Sequence, residues 1–162
     1  LGLSNAATIR AGNAFGRNDR THLESGAKVV IALSLIMAVL TIVLFLAAPG
    51  PLISLFLAPD DPDKPQILII GAALLAAAAL FQLMDGMQVV ALGLLRGVQD
   101  TAWPMVIAVL SYWAVGIPVS YLFGFVFGWG GIGVWFGLVI GLSTAGILLM
   151  ARFWMRSIKT VG

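Results

Sequence analysis

The chain has 162 residues, of which 60% are hydrophobic and only 10% are charged, and its mean hydropathy is +1.05. A soluble domain carries about 25% charged residues, so this composition excludes an ordinary water-soluble globular protein. The formal net charge of +2 comes from residues between apolar segments and does not indicate binding to nucleic acid. The absence of cysteine excludes disulfide bonds and thiolate metal sites.

The charged residues are confined to short connections. Residues 29–59 and 101–151 carry none, and residues 65–95 carry one, Asp85. Uncharged apolar runs longer than about 18 residues are typical of membrane-spanning helices. The sequence therefore predicts an all-α integral membrane protein. It contains no metal-ligand cluster or phosphate-binding loop that would indicate an enzyme.

The predicted elements begin with residues 1–16, interpreted as the end of a helix whose start lies upstream, because the chain opens without an initiator methionine or a signal sequence. Residues 52–59 (LISLFLAP) are expected to lie at the membrane surface, and residues 60–65 (DDPDKP) to form an aqueous loop. A bundle of four transmembrane helices plus the helix stub is predicted. The four spans are placed at about 28–48, 66–96, 103–126 and 132–152.

Lysine and arginine are distributed unequally between the two ends of this bundle. If the four spans alternate in direction, eight of the nine basic residues lie at one end of the bundle and only Lys64 lies at the other. Basic residues favour the cytoplasmic side, so the C-terminus and the turn at 96–101 (RGVQDT) are predicted to be cytoplasmic. The eight basic residues at that end are Arg10, Arg17, Arg20, Lys28, Arg96, Arg152, Arg156 and Lys159.

Asp85 is predicted to lie near the middle of the membrane. Eleven residues separate it from Arg96, which corresponds to about 16 Å at 1.5 Å per residue. Gln82 and Gln88 lie about 60° to either side of it on the helix, so three polar groups share one sector. A charged residue at a helix centre costs about 2.5–3.5 kcal/mol to insert, so the sector is expected to face a cavity or other helices.

Two roles for Asp85 stay open from the residues alone. An intramembrane acid is a functional site by default, which favours a carboxylate that binds a coupling cation or proton. The alternative is an inert carboxylate that hydrogen-bonds a neighbouring helix and holds the bundle together.

The third span contains YWAVGIPVSY at residues 112–121. Pro118 has no N–H and leaves the carbonyl of Ala114 without its helical donor, so a kink is predicted between Gly116 and Pro118. Tyr112 lies deep enough to need a hydrogen-bond partner for its hydroxyl. Both tyrosines of the span could equally serve packing.

Three other features have mainly structural explanations. Arg96, at a helix C-terminus, is expected to pair with Asp100 and close the turn, although capping and topology alone would also explain both residues. His22, the one histidine, is interpreted as a solvated loop residue. Glycines spaced four residues apart predict close helix packing at Gly124, Gly128, Gly133, Gly137 and Gly141.

Five stretches, in order, resemble the multidrug and toxin extrusion (MATE) family of secondary antiporters. They cover nearly the whole chain, and the second is the most specific. The resemblance points to the C-terminal lobe of a twelve-helix transporter of the NorM-like branch, with the N-terminal lobe of the same chain as its missing partner. The stretches are IRAGNAFGRND (9–19), FQLMDGMQVVALGLLRGVQDT (81–101), YWAVGIPVSY (112–121), GWGGIGVWFGLVIGL (128–142) and the basic exit at 152–159.

The resemblance implies both an activity and site residues. It implies a cation-coupled (Na⁺ or H⁺) efflux antiporter of the bacterial inner membrane that exports cationic amphipathic drugs and needs no organic cofactor. Asp85 occupies the position of the aspartate that helps bind the coupling cation, and would be the Na⁺ ligand. Phe81, Gln82, Gln88 and Tyr112 are expected to line the substrate cavity, with Phe81 standing where some members have tyrosine.

Two alternative functions stay open. A flippase of lipid-linked precursors would belong to the same superfamily, although flippases often line their cavity with arginine and the spans here contain none. A non-transporting membrane scaffold would use the polar residues only to hold the bundle together.

Overall fold

In the computed structural model of the chain, residues 2–57 and 62–161 are described, and they form helices joined by short turns, without any strand. Four of these helices are long and apolar enough to cross a membrane. The prediction of an all-α membrane protein with four such helices is confirmed. The elements are α1 (Gly2–Gly16), α2 (Arg20–Ala47), α3 (Pro49–Ser54), α4 (Lys64–Gly97), α5 (Ala102–Val126), α6 (Gly130–Met155) and a 3₁₀ turn (Ser157–Thr160).

Each helix begins before its predicted span, α4 and α6 also end after theirs, and the membrane boundaries stay predictions. The largest extension is at the start of α2, because the Asp19 side chain accepts a hydrogen bond of 2.9 Å from the backbone N–H of His22 and caps the helix. The interpretation of His22 as a loop residue is therefore wrong: it is exposed, but it lies in the first turn of α2.

The predicted surface segment and aqueous loop between α2 and α4 are described only in part. Residues 52–54 complete α3, which packs against α4. Residues 64–65 begin α4. Residues 58–61, which include the last two residues of LISLFLAP and the first two of the aqueous loop, lie outside the described part of the chain.

The turns that end α1 and α4 have the same backbone geometry. They are formed by residues 16–19 (GRND) and 97–100 (GVQD). Asn18 and Gln99 have positive φ values of 53° and 60°. The aspartate N–H of each turn bonds the carbonyl five residues earlier, at 3.0 and 2.9 Å, as in a left-handed helix C-cap. Asp19 thus lies immediately before α2, and Asp100 lies two residues before the start of α5.

Helix α1 crosses α4 at two glycines. The Ser4 hydroxyl donates to the carbonyl of Val89 at 2.8 Å, and the Thr8 hydroxyl donates to the carbonyl of Gly93 at 3.0 Å. A Cβ placed on Gly97 would lie 2.7 Å from the Thr8 carbonyl oxygen. Close approach of the two backbones therefore requires glycine at this crossing.

Helices α5 and α6 also pack through small residues, as the glycine spacing predicted. Gly116 lies against Gly141, and the hydroxyl of Ser120 donates to the carbonyl of Val134 at 3.1 Å. Gly128 is the exception: it is exposed in the turn before α6, with φ of +72° and nothing near its Cβ position. Its role is the left-handed turn conformation and not helix packing.

Candidate functional site

Asp85 lies in α4 at a cavity of about 210 Å³ between α1, α2 and α4. Its side chain is half-buried, and Gln82, one turn earlier on α4, lines the same cavity. The other polar lining residues are Ser4 of α1 and Ser34 and Thr41 of α2. Asp85 therefore lies at a partly open space between three helices that is lined by both oxygen-bearing and apolar side chains.

The hydroxyls of this cavity retain lone pairs that a cation can use. Ser4 and Thr41 donate their protons to backbone carbonyls at 2.8 and 3.0 Å, which leaves their oxygen atoms available as acceptors. The Ser34 oxygen lies 3.4 Å from the position of a Cβ on Gly86, at the α2–α4 contact. Within residues 2–57 and 62–161 there is no group of three acidic or histidine side chains that could hold a metal ion. Asp85 would thus be the single charged ligand.

An oxygen-only donor set suits a hard cation such as Na⁺. The carboxylate supplies the charge, and the amide of Gln82 and the three hydroxyls can supply neutral oxygens. The same carboxylate can instead carry a proton. The residues present could therefore hold either a Na⁺ ion or a proton.

The polar sector around Asp85 divides between two sets of neighbours. Gln88 is buried, and its side-chain oxygen accepts a hydrogen bond of 2.6 Å from the hydroxyl of Tyr112 on α5. Because Gln82 and Gln88 lie about 60° to opposite sides of Asp85, they face different helices. Tyr112 thus has the partner that its depth required.

The structure places only one of the four residues expected to line the cavity beside Asp85. Gln82 is there, whereas Gln88 and Tyr112 bond each other between α4 and α5. Phe81 packs edge-on against Trp135 of α6, with the ring centroids 5.7 Å apart. Phe81 and Gln88 are therefore directed away from the Asp85 cavity, Phe81 toward α6, which packs along α4, and Gln88 toward Tyr112.

Helix α5 changes its hydrogen-bond register around Pro118. Residues Ser111–Gly116 form a π-helical turn, in which the N–H of Ile117 bonds the carbonyl of Tyr112. A second π-helical turn follows at Leu122–Val126. Proline removes the i→i+4 donor, and the chain adapts by bonding to the fifth residue. The kink predicted between Gly116 and Pro118 stays a prediction; what the structure shows there is a change of hydrogen-bond register, and the first π-helical turn includes Tyr112.

The pair expected between Arg96 and Asp100 is not formed. Asp100 accepts two bonds from the guanidinium of Arg152 on α6, at 2.7 and 3.1 Å, and one from the hydroxyl of Ser157 at 2.7 Å. Arg96 is exposed and has no carboxylate partner within the described residues. The left-handed conformation of Gln99 reverses the chain and directs Asp100 toward α6.

The environment of Asp100 changes its acidity. Burial by itself raises the pKa of this carboxyl, but the hydrogen bonds from Arg152 and Ser157 and the positive charge of Arg152 outweigh that effect. The pKa of Asp100 is therefore lower than its usual value. The Arg152 guanidinium also lies over the ring of Trp103, 5.2 Å from its centroid. Asp100 and Arg152 together join the α4–α5 turn to the end of α6.

Residues 1–122 match the MatE family. The chain belongs to this family. The resemblance of its sequence to MATE proteins is thereby confirmed.

The relatives of this MATE chain include bacterial proteins named "Probable multidrug resistance protein NorM". The one from Agrobacterium fabrum is 42% identical over 99% of this chain, and the one from Deinococcus radiodurans is 38% identical over 97%. The chain covers 35% of each of these two relatives, so it spans about a third of their length. Such relatives and four long apolar helices indicate a multi-pass membrane protein.

A solved structure shares the fold. The crystal structure of the eukaryotic MATE transporter AtDTX14 matches 98% of this chain with a TM-score of 0.83 and 18% identity, and the match covers 35% of that protein. This likeness shows that the arrangement of the helices in the chain is that of a MATE transporter.

Sequence reasoning did not identify the hydroxyls that share the cavity with Asp85. One signal was present, because Ser34 and Thr41 are seven residues apart and lie on one face of α2. Arg152 was assigned only to membrane topology, since nothing local to residues 96–101 indicates a partner 52 residues away.

Proposed function

We propose that this MATE chain is part of a cation-coupled multidrug efflux antiporter of the bacterial inner membrane, with Asp85 as the coupling residue. The observation that carries the proposal is a half-buried carboxylate at an oxygen-lined cavity, on a helix long enough to span the membrane. The NorM names of the relatives support efflux of drugs by the whole protein. The excess of basic residues supports a cytoplasmic C-terminus.

The physical role of Asp85 follows from its charge. A Na⁺ ion or a proton that binds at the cavity neutralises the carboxylate and removes the cost of holding a lone charge in the membrane. If one state of the protein binds that cation more tightly, the ion gradient shifts the population toward it. Export of a cationic amphipathic compound is then linked to ion entry through the same equilibrium.

The full-length protein in inside-out vesicles tests this role by uptake of a fluorescent cationic dye under an imposed Na⁺ or pH gradient. Asp85→Asn keeps the shape of the side chain but removes its charge, so gradient-driven uptake is expected to fall to the level of vesicles that lack the protein. Asp63→Asn, at the start of α4, is the matched control and should retain uptake.

Two results would contradict the proposal. If Asp85→Asn transports the dye with the full gradient dependence, Asp85 is not the coupling residue. If Asp85→Asn retains transport while Asp85→Leu lowers the unfolding temperature, the carboxylate serves only to hold the helices together.

A further inference from the structure

A second polar cavity lies at the end of the bundle that carries most of the basic residues. It has a volume of about 500 Å³ and is bounded by Phe15 of α1, by the turn after α4, and by the end of α6 with the 3₁₀ turn. Its charged lining residues are Asp100, Arg152, Arg156 and Lys159. It shares no lining residue with the Asp85 cavity. We call it the basic pocket.

The basic pocket has an excess of positive charge. Its single carboxylate, Asp100, already accepts three hydrogen bonds from Arg152 and Ser157. Arg156 and Lys159 are exposed, and neither forms an ion pair within residues 2–57 and 62–161. Two cations therefore face this space without a compensating anion.

Arg156 and Lys159 belong to a segment whose backbone is fixed by packing and hydrogen bonds. Ile158 and Val161 are each 1% exposed and belong to the core that joins α1, α2, α4 and α6. The Thr160 hydroxyl donates to the carbonyl of Ser157 at 2.7 Å, and the N–H of Lys159 bonds the carbonyl of Arg156 at 3.0 Å. Basic residues that only set membrane topology need no such fixed geometry.

The surroundings of the basic pocket combine charge with apolar surface. Phe15, Val98 and Met155 line it together with the cations. Trp103, exposed in the first turn of α5, lies against Arg152. Tryptophan is enriched at the boundary between lipid and water, and basic pockets between transmembrane helices bind lipid head groups. These features match the head group of a phospholipid more closely than a freely soluble anion, which needs no apolar wall.

We propose that the basic pocket binds the phosphate of an anionic phospholipid in the adjacent membrane leaflet. Arg156 and Lys159 contact the phosphate, and the apolar residues contact the glycerol and the upper acyl chains. Arg152 stays paired with Asp100, so the lipid does not break the ion pair that joins the α4–α5 turn to α6. Because the basic pocket shares no lining residue with the Asp85 cavity, the proposal does not depend on the identity of the coupling ion.

Native mass spectrometry of the full-length protein, released from nanodiscs of phosphatidylcholine with a minor fraction of phosphatidylglycerol, measures the retained lipid. The double variant Arg156→Gln/Lys159→Gln is expected to bind phosphatidylglycerol roughly 30-fold more weakly, as the loss of two basic contacts at a membrane surface implies. The matched control, Arg17→Gln/Arg96→Gln, removes two exposed cations from the same end but outside the pocket, and should retain the lipid.

Three outcomes would overturn the proposal. Equal losses in the two double variants would show diffuse attraction by the whole basic end. Equal retention of phosphatidylcholine and phosphatidylglycerol by the wild-type protein would show that the phosphate charge is not selected. If millimolar inorganic phosphate displaces the lipid and raises the unfolding temperature as much as phosphatidylglycerol does, the ligand is a soluble anion. Circular dichroism of both double variants verifies that they fold.

Discussion

Substitution of Ser34 tests whether the Asp85 cavity binds Na⁺ without altering the carboxylate itself. Ser34 lies on α2, opposite Gly86, and supplies a neutral oxygen to this cavity. If Na⁺ is the coupling ion, Ser34→Ala removes one ligand and is expected to weaken the apparent affinity for Na⁺ roughly tenfold. A proton needs no such ligand, so the pH dependence should not change. Dye transport titrated with Na⁺ and with pH measures both quantities.

Ser25→Ala is the matched control for this prediction, because Ser25 is exposed on the same helix and outside the cavity. If Ser34→Ala and Ser25→Ala have the same Na⁺ dependence as the wild-type protein, Ser34 is not a cation ligand.

At the scale of elements, the crossing of α1 and α4 requires glycine, which has no side chain to separate the two backbones. A Cβ on Gly97 would meet the carbonyl oxygen of Thr8 at 2.7 Å and the nitrogen of Gly12 at 3.0 Å, and neither atom can move without shifting α1. Gly97→Ala is therefore expected to destabilise the protein by about 1–3 kcal/mol, in spite of the better helix propensity of alanine. Thermal or denaturant unfolding of the full-length protein in detergent measures the change.

Gly16→Ala provides the comparison, since nothing lies within 4 Å of the Cβ position at the end of α1. This change should be neutral or stabilise by about 0.4–1 kcal/mol, because alanine restricts the unfolded chain. Equal effects of the two substitutions would mean that α1 and α4 do not approach each other as closely as described.

At the scale of the whole molecule, Asp100 and Arg152 connect elements that are far apart in sequence. Since the pKa of Asp100 is lowered in the folded protein, the ion pair contributes stability above the unfolded pKa of about 3.9, and this contribution is lost as the pH falls through the lower folded pKa. Asp100→Asn should lower the unfolding temperature at neutral pH, and it should remove the part of the stability loss at acidic pH that comes from protonation of Asp100. Thermal unfolding followed by tryptophan fluorescence at pH 7 and below pH 4 tests both effects.

Arg152→Gln and Arg96→Gln distinguish the observed pair from the one expected. Removal of Arg152 leaves a largely buried carboxylate without its cation, so it should destabilise more than removal of the exposed Arg96. Equal destabilisation by the two variants would contradict the structure of this turn.

Much of this protein could be predicted from local properties of its sequence. Hydropathy and charge are read residue by residue, so the four long helices, the excess of basic residues at one end and the isolation of Asp85 were all apparent. The family resemblance was also carried by short contiguous stretches. Helical geometry showed in addition that Gln82 and Gln88 lie on opposite sides of Asp85.

Only the tertiary structure decided which neighbours those side chains meet. Gln88 meets Tyr112 because α5, which packs on α6, brings the Tyr112 hydroxyl beside α4, and Asp100 reaches Arg152 because a left-handed residue turns the chain toward α6. The frame of the basic pocket likewise depends on Ile158 and Val161 entering the core. Such contacts join residues far apart in the chain, and their free energy depends on distance and burial, which periodicity along one helix does not encode.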